Sequence, residues 1–141
     1  MKRMSTATHG IVDYVVGGAL MMVPPMLNIS SRSKAILSAS GAVAGAYSAM
    51  TDYERGMVRV LPMKAHLTLD ALSGGMLLGS ALLLDDQEPA VRTAMACIGL
   101  FEIAASLLTE TQPRDRRRGG GRQSGGRKRS VTRRAREMVG A

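Results

Sequence analysis

Apolar residues gather in four long runs, Gly10 to Leu27, Ala35 to Met50, Leu67 to Leu84 and Ala90 to Leu108, separated by short stretches of Ser, Pro and charged residues. The runs are 16 to 19 residues long. At about 1.5 Å per residue, helices of that length reach about 24 to 29 Å, close to the roughly 30 Å hydrocarbon layer of a bilayer. Each run is therefore predicted to be a membrane-spanning helix. The second is the weakest, because Ala, Ser and Gly make it only mildly apolar, and it is expected to need neighbouring helices. Pro24-Pro25 should end the first helix and Asn28 to Ser33 should form the turn into the second. Lys2 and Arg3 ahead of the first run imitate a secretory signal. Asp13 interrupts that run, however, and no small-x-small cleavage site follows promptly, so the run is expected to be a retained span.

Composition strengthens this picture. The near-zero mean hydropathy averages a strongly apolar first 111 residues with an almost fully polar remainder. With no Trp, one Phe and three Tyr, the chain lacks the aromatic groups that usually fill a soluble core, while its 11 Met and abundant Ala, Gly and Leu suit helix packing in lipid. Up to residue 111 there are 8 Lys and Arg against 9 Asp and Glu; from 112 to 141 there are 11 against 2. Lys2 and Arg3, then Arg55, Arg59 and Lys64, then the basic tail all fall on one side of a four-span topology, which the positive-inside rule makes cytoplasmic. The expected location is the cell's inner (plasma) membrane, with both termini in the cytoplasm. The single Cys97 lies in an apolar run and excludes both an internal disulfide and a Cys-based zinc cage.

The chain also repeats itself. His9-x-x-x-Asp13-x-x-x-Gly17-Gly18 recurs 57 positions on as His66-x-x-x-Asp70-x-x-x-Gly74-Gly75, and Gly41, Ser48, Thr51 and Asp52 recur 58 positions on as Gly99, Ser106, Thr109 and Glu110. One two-helix unit, about residues 5–54, is used again at about 62–110. Because each unit crosses an even number of times, the copies should face the same way, with a symmetry axis along the membrane normal. The pairs Gly41-x-x-x-Gly45 and Gly75-x-x-x-Gly79 are expected to offer small surfaces on which another helix packs closely.

The run Thr8-His9-Gly10 with Asp13-Tyr14, then Thr51-Asp52-Tyr53-Glu54, Pro62-Met63, His66-Leu67, Leu69-Asp70 and Leu72-Ser73-Gly74, resembles the SPW-repeat family of small prokaryotic membrane proteins. The resemblance covers about residues 5–110. The positions of the family's Ser-Pro-Trp triplets read Val23-Pro24-Pro25 and Ser80-Ala81-Leu82 here. What the resemblance implies is a four-helix integral membrane protein with no enzymatic activity and no cofactor.

Chemistry is concentrated in few residues. His9 and Asp13, like His66 and Asp70, stand four apart, so each pair shares one helix face with side chains about 6 Å apart. Packing of the halves about a two-fold axis would bring the pairs together. Two imidazoles and two carboxylates would then suit a proton relay or a divalent metal. The preferred reading is structural, each Asp being neutralised by its own His or by a neighbouring helix, and no metal is assigned. Glu102, about midway along the fourth run, should face the bundle interior or be protonated, with Ser73, Ser48 or Thr68 as candidate partners. No nucleotide-binding glycine pattern, nucleophile elbow or metal-protease motif is present, so no catalytic residue is assigned.

The sequence thus predicts an all-α, integral membrane four-helix bundle over residues 1–110, made of two parallel two-helix repeats, followed by a disordered basic tail over 111–141. In the tail, Arg116, Arg117, Arg118, Arg127, Lys128, Arg129, Arg133 and Arg134 would bind polyanions, either anionic lipid or nucleic acid. The first functional reading is a non-enzymatic membrane scaffold or accessory protein that associates with itself or with a membrane protein partner. The alternatives are a small transporter or proton-coupled protein using His9, Asp13, His66, Asp70 and Glu102, and a membrane tether acting through the tail.

Overall fold

The computed structural model describes residues 4–84 and 88–113. The basic residues of the tail, with Lys2, Arg3, Asp85 and Asp86, lie outside the described residues. Those that are described form four helices and no strands: α1 (Thr6–Met22), α2 (Ser31–Met50), α3 (Met63–Leu83) and α4 (Pro89–Leu108). A short 3-10 turn, Pro24–Met26, follows α1. Three segments, Thr6–Met26, Met63–Leu83 and Pro89–Leu108, are long and apolar enough to cross a membrane. The expectation of four such spans is met in number of helices but not in hydropathy, since α2 falls short.

Helix boundaries follow from local chemistry. The Oγ of Ser5 accepts from Thr8 N at 3.1 Å and the Oγ of Ser30 from Ser33 N at 3.1 Å, so α1 and α2 both begin on a serine cap that satisfies a free amide of the first turn. Proline sets the other two starts. Pro62 precedes α3, and Pro89 opens α4, where its missing N–H costs nothing. α4 begins one residue before its apolar run, at Pro89, and the other helices begin four residues before theirs: α1 at Thr6, α2 at Ser31 and α3 at Met63. These first turns are polar, and two of them carry the histidines.

α1 packs against α2, and α3 against α4. The close contact within each pair is made by glycine. A methyl group added at Gly41 would run into the carbonyl oxygen of Gly17, and one added at Gly99 into that of Gly74. Of the four glycines expected to mediate packing, Gly41 does so within the chain. Gly45, Gly75 and Gly79 meet nothing within 4 Å where a side chain would stand. The reason is angular: successive helical residues are turned by about 100°, so Gly74 faces α4 and Gly75 does not. Backbone N of Gly45 still comes within 3.5 Å of a methyl built at Gly17, so this residue is approached from the side.

One end of the bundle is held by apolar packing of Leu20, Leu37, Leu77, Ala81, Val91 and Met95, one or two residues from each helix. Arg92 closes this end, its Nε donating to the Ala81 carbonyl at 2.9 Å. At the other end, Met4 N donates to Leu108 O at 3.0 Å and Glu110 N to Met4 O at 2.9 Å, which ties the start of α1 to the end of α4. The loop between α2 and α3 folds back on itself, Asp52 N donating to Leu61 O at 2.7 Å. Gly56 in this loop lies directly against the Thr51 carbonyl, where no side chain fits.

Candidate functional site

The first turns of α1 and α3 bring His9 and His66 together. Their Nε2 atoms are 3.2 Å apart, and the rings meet edge to face with centroids 5.2 Å apart. Four residues further along each helix, Asp13 and Asp70 turn toward the same point. His9 Nε2 lies 2.8 Å from Asp70 Oδ2 and 3.4 Å from Asp13 Oδ1. His66 Nε2 lies 3.0 Å from Asp13 Oδ2 and 3.3 Å from Asp70 Oδ2. The four residues predicted as a polar site are therefore brought together, but the shorter contacts cross between helices. Each His is nearer to the other helix's Asp than to its own. The cross-helix contacts are the shorter because facing helices point their side chains at each other, whereas i and i+4 Cβ atoms on one helix stand about 5 to 6 Å apart and their side chains must lean together to meet.

The outer nitrogens are also held. His66 Nδ1 is 2.8 Å from Thr51 Oγ1, and His9 Nδ1 is 2.9 Å from Thr109 Oγ1. Each Thr hydroxyl donates its own hydrogen to a backbone carbonyl four residues back, Thr51 to Tyr47 O at 2.6 Å and Thr109 to Ala105 O at 2.7 Å. A hydroxyl has one hydrogen, so toward the imidazole each Thr acts as acceptor. The hydrogen-bond network thus places a hydrogen on Nδ1 of both rings and turns both Nε2 atoms inward. The carboxylates are supported similarly: the Tyr47 hydroxyl donates to Asp70 Oδ1 at 2.7 Å, and the Ser48 hydroxyl to Asp13 Oδ2 at 3.4 Å. His9, His66, Thr51 and Thr109 are almost fully buried.

Thr51, Thr109 and Tyr47 were not among the sequence candidates. Thr51 and Thr109 did carry a signal, as members of the 58-residue repeat; Tyr47 carried none, because Ala105 stands at its repeat position. Tyr53, in the α2–α3 loop, covers the centre, with its ring 5.6 Å from that of His66 and pressed against Gly10. Burial pushes its phenol above the ordinary tyrosine range, and the Asp13 carboxylate adds to the shift. The loop is fastened to α1 by Thr6, whose hydroxyl donates to Glu54 Oε2 at 2.6 Å.

Glu102 faces the interior as expected. It does not touch the His and Asp centre but borders, with Asp13, Asp70 and Tyr47, a cavity of about 20 Å³ next to it, room for about one water. Ser73 approaches its carboxylate. Oε2 has no hydrogen-bond partner among the described residues. The other two candidate partners are occupied elsewhere, Ser48 with Asp13 and Thr68 with the Lys64 carbonyl. Cys97 is free and exposed.

A buried cluster of this kind can hold the two helix pairs together, retain protons or ligate a cation. No protein-family model matches the chain, and no curated protein or solved structure matches it.

Proposed function

We propose that the chain is a four-span integral membrane protein, built from two two-helix repeats that face the same way, whose role is non-enzymatic: a small scaffold or accessory subunit fastened at one end by its His and Asp centre. The observation that carries this reading is the inverted distribution of polarity. Leu83 is 80% exposed, and Met26, Met76 and Leu107 are similarly bare, while Asp70 is 5% exposed and His66 is fully buried. In water that arrangement would waste apolar surface, whereas in lipid it is the expected one. α2 joins as a fourth span because three of its polar residues, Ser33, Tyr47 and Ser48, are buried against its neighbours, while Ser31 and Arg32 are exposed in its first turn. Gly75 and Gly79, uncovered among the described residues, suit close approach by a helix of a second copy or partner. The four-helix plan is the one implied by the resemblance of residues 5–110 to the SPW-repeat family; the distribution of basic residues puts both termini in the cytoplasm, where the basic tail would touch anionic lipid or nucleic acid.

Membrane fractionation with an alkaline carbonate wash, on cells carrying paired cytoplasmic and periplasmic reporters fused after Ala141, tests the reading. Retention with a cytoplasmic signal is expected. Release by carbonate would overturn membrane insertion, and a periplasmic signal would overturn the four-span count. A proton-coupled transporter is the second reading, favoured by the position of Glu102 beside the centre. Against it stands the packed Leu20, Leu37, Leu77 and Met95 cluster, which continues the interior beyond the cavity with apolar groups. Proton-dependent flux in proteoliposomes that disappears in Asp13→Asn would establish the transporter.

A further inference from the structure

We infer that the His9, Asp13, His66 and Asp70 centre is a site for a divalent transition metal ion of the zinc type. This deepens the reading of the centre as a fastening and rests on it. The argument begins with an imbalance of donors and acceptors. With Nδ1–H directed to Thr on both rings, two Nε2 lone pairs face each other at 3.2 Å and are ringed by carboxylate oxygens 2.8 to 3.4 Å away. These are all acceptors. Such a set is stable only around positive charge, supplied either by protons on both Nε2 atoms or by one cation bound by all four residues. Two carboxylates balance a divalent ion.

Geometry favours the ion. A tetrahedral zinc site with bonds of about 2.0 to 2.1 Å has edges of about 3.3 to 3.4 Å between ligand atoms. Taking one atom from each residue, with Asp13 represented by Oδ2, four of the six ligand-to-ligand distances are 3.2, 2.8, 3.0 and 3.3 Å, at or up to about 0.5 Å inside those edges, and one ligand atom from each residue fits within 4.8 Å of all the others. Two imidazoles and two carboxylates in fourfold arrangement suit zinc better than calcium or magnesium, which take six or more oxygens. The outer hydrogen bonds also match a metal site, where ligating His donates its second N–H and ligating carboxylates accept from a neighbour. Thr51, Thr109, Tyr47 and Ser48 supply all four. These are the chain's only two histidines, and its one cysteine is elsewhere.

The full chain, purified in detergent micelles and stripped with a chelator, would be titrated calorimetrically with Zn²⁺ and separately with Co²⁺ while visible absorption is recorded. One Zn²⁺ per chain and the intense visible bands of tetrahedral Co²⁺ are expected. Thr51→Val and Thr109→Val should each weaken Zn²⁺ binding by roughly 10- to 100-fold, and Cys97→Ser should leave it unchanged. Asp13→Asn with Asp70→Asn should abolish binding; if that variant does not fold, the Thr variants decide. No stoichiometric Zn²⁺, a weak octahedral Co²⁺ spectrum, or wild-type affinity retained in both Thr variants would overturn the metal site and leave a centre held by protons. Thermal unfolding of the metal-free wild type and Asp70→Asn separates the two ideas. A stable apo protein weakened by Asp70→Asn, yet unable to bind Zn²⁺, keeps the fastening and rejects the metal.

Discussion

The two helix pairs, α1 with α2 and α3 with α4, use the same residues at the same crossings and yet are not equivalent. Each contributes one His, one Asp, one Thr and a pair of facing glycines. The differences lie in what surrounds them. Asp70 accepts a 2.7 Å bond from Tyr47, whereas Asp13 has only Ser48 at 3.4 Å. Ser106, the counterpart of Ser48, turns back to the Ile103 carbonyl at 2.8 Å and supports neither carboxylate. Packing differs as well. A methyl built at Gly74 would be crowded by Gly99 O, Glu102 Cβ and Ile103 Cγ1, while one at Gly17 has its nearest neighbour at 3.2 Å. Matching residues thus form the centre, and unmatched ones, Tyr47 and Glu102 above all, make it lopsided.

This asymmetry is open to attack by substitution. Asp70→Ala should be the most damaging change, costing about 3 to 5 kcal/mol because it leaves buried partners unpaired, and Asp13→Ala should cost distinctly less. Denaturant unfolding in micelles compares them, and equal losses would mean that the centre is symmetric after all. Tyr47→Phe should cost about 1.5 to 3 kcal/mol, the value of a hydrogen bond to a charged group, with the deficit vanishing in an Asp70→Asn background if Asp70 is its target. Next come the glycines. Gly74→Ala, Gly41→Ala and Gly99→Ala should each cost about 1 to 3 kcal/mol by overpacking, and Gly17→Ala less. Gly75→Ala should be neutral or gain up to about 1 kcal/mol, since Ala is the better helix former. Melting temperatures rank the set, and a damaging Gly75→Ala would reveal a partner helix on that face.

The smallest effect is confined to alkaline pH. The Tyr53 phenol is held neutral in the folded protein above its ordinary value of 10.0, by burial first and by Asp13 second. Its contribution to stability is therefore complete below about pH 10 and is lost as pH rises through the raised folded value, because the unfolded chain ionises first. Tyr53→Phe should flatten the fall in stability above that pH and change little below it, as pH-dependent unfolding will show.

Much of this was legible in the sequence, and what was missed has physical causes. Long apolar runs revealed four helices, yet they began just after His9 and His66, because a hydrophobicity pattern stops where polar first turns begin. The 57-residue spacing revealed that His9, Asp13, His66 and Asp70 belong together. It did not reveal that His9 pairs with Asp70, since that depends on how facing helices approach. Glycine spacing pointed to the right kind of contact but, on α3, not to Gly74, which meets α4, because a GxxxG pattern does not say which of two adjacent glycines faces a given neighbour. Gly17-Gly18 and Gly74-Gly75 present the same choice twice, and the structure resolves it the same way both times, toward Gly17 and Gly74. Tyr47 and Glu102 break the repeat, so repetition had nothing to say about either.

The central claim is the convergence of both imidazoles on one buried point, each with its Nδ1–H directed to a threonine. Because the chain contains two histidines, nitrogen NMR of the ¹⁵N-histidine-labelled protein in micelles isolates them completely. Two slowly exchanging Nδ1–H signals are predicted, one lost in Thr51→Val and the other in Thr109→Val. Ring protons that exchange freely with water, or that ignore both substitutions, would contradict the account.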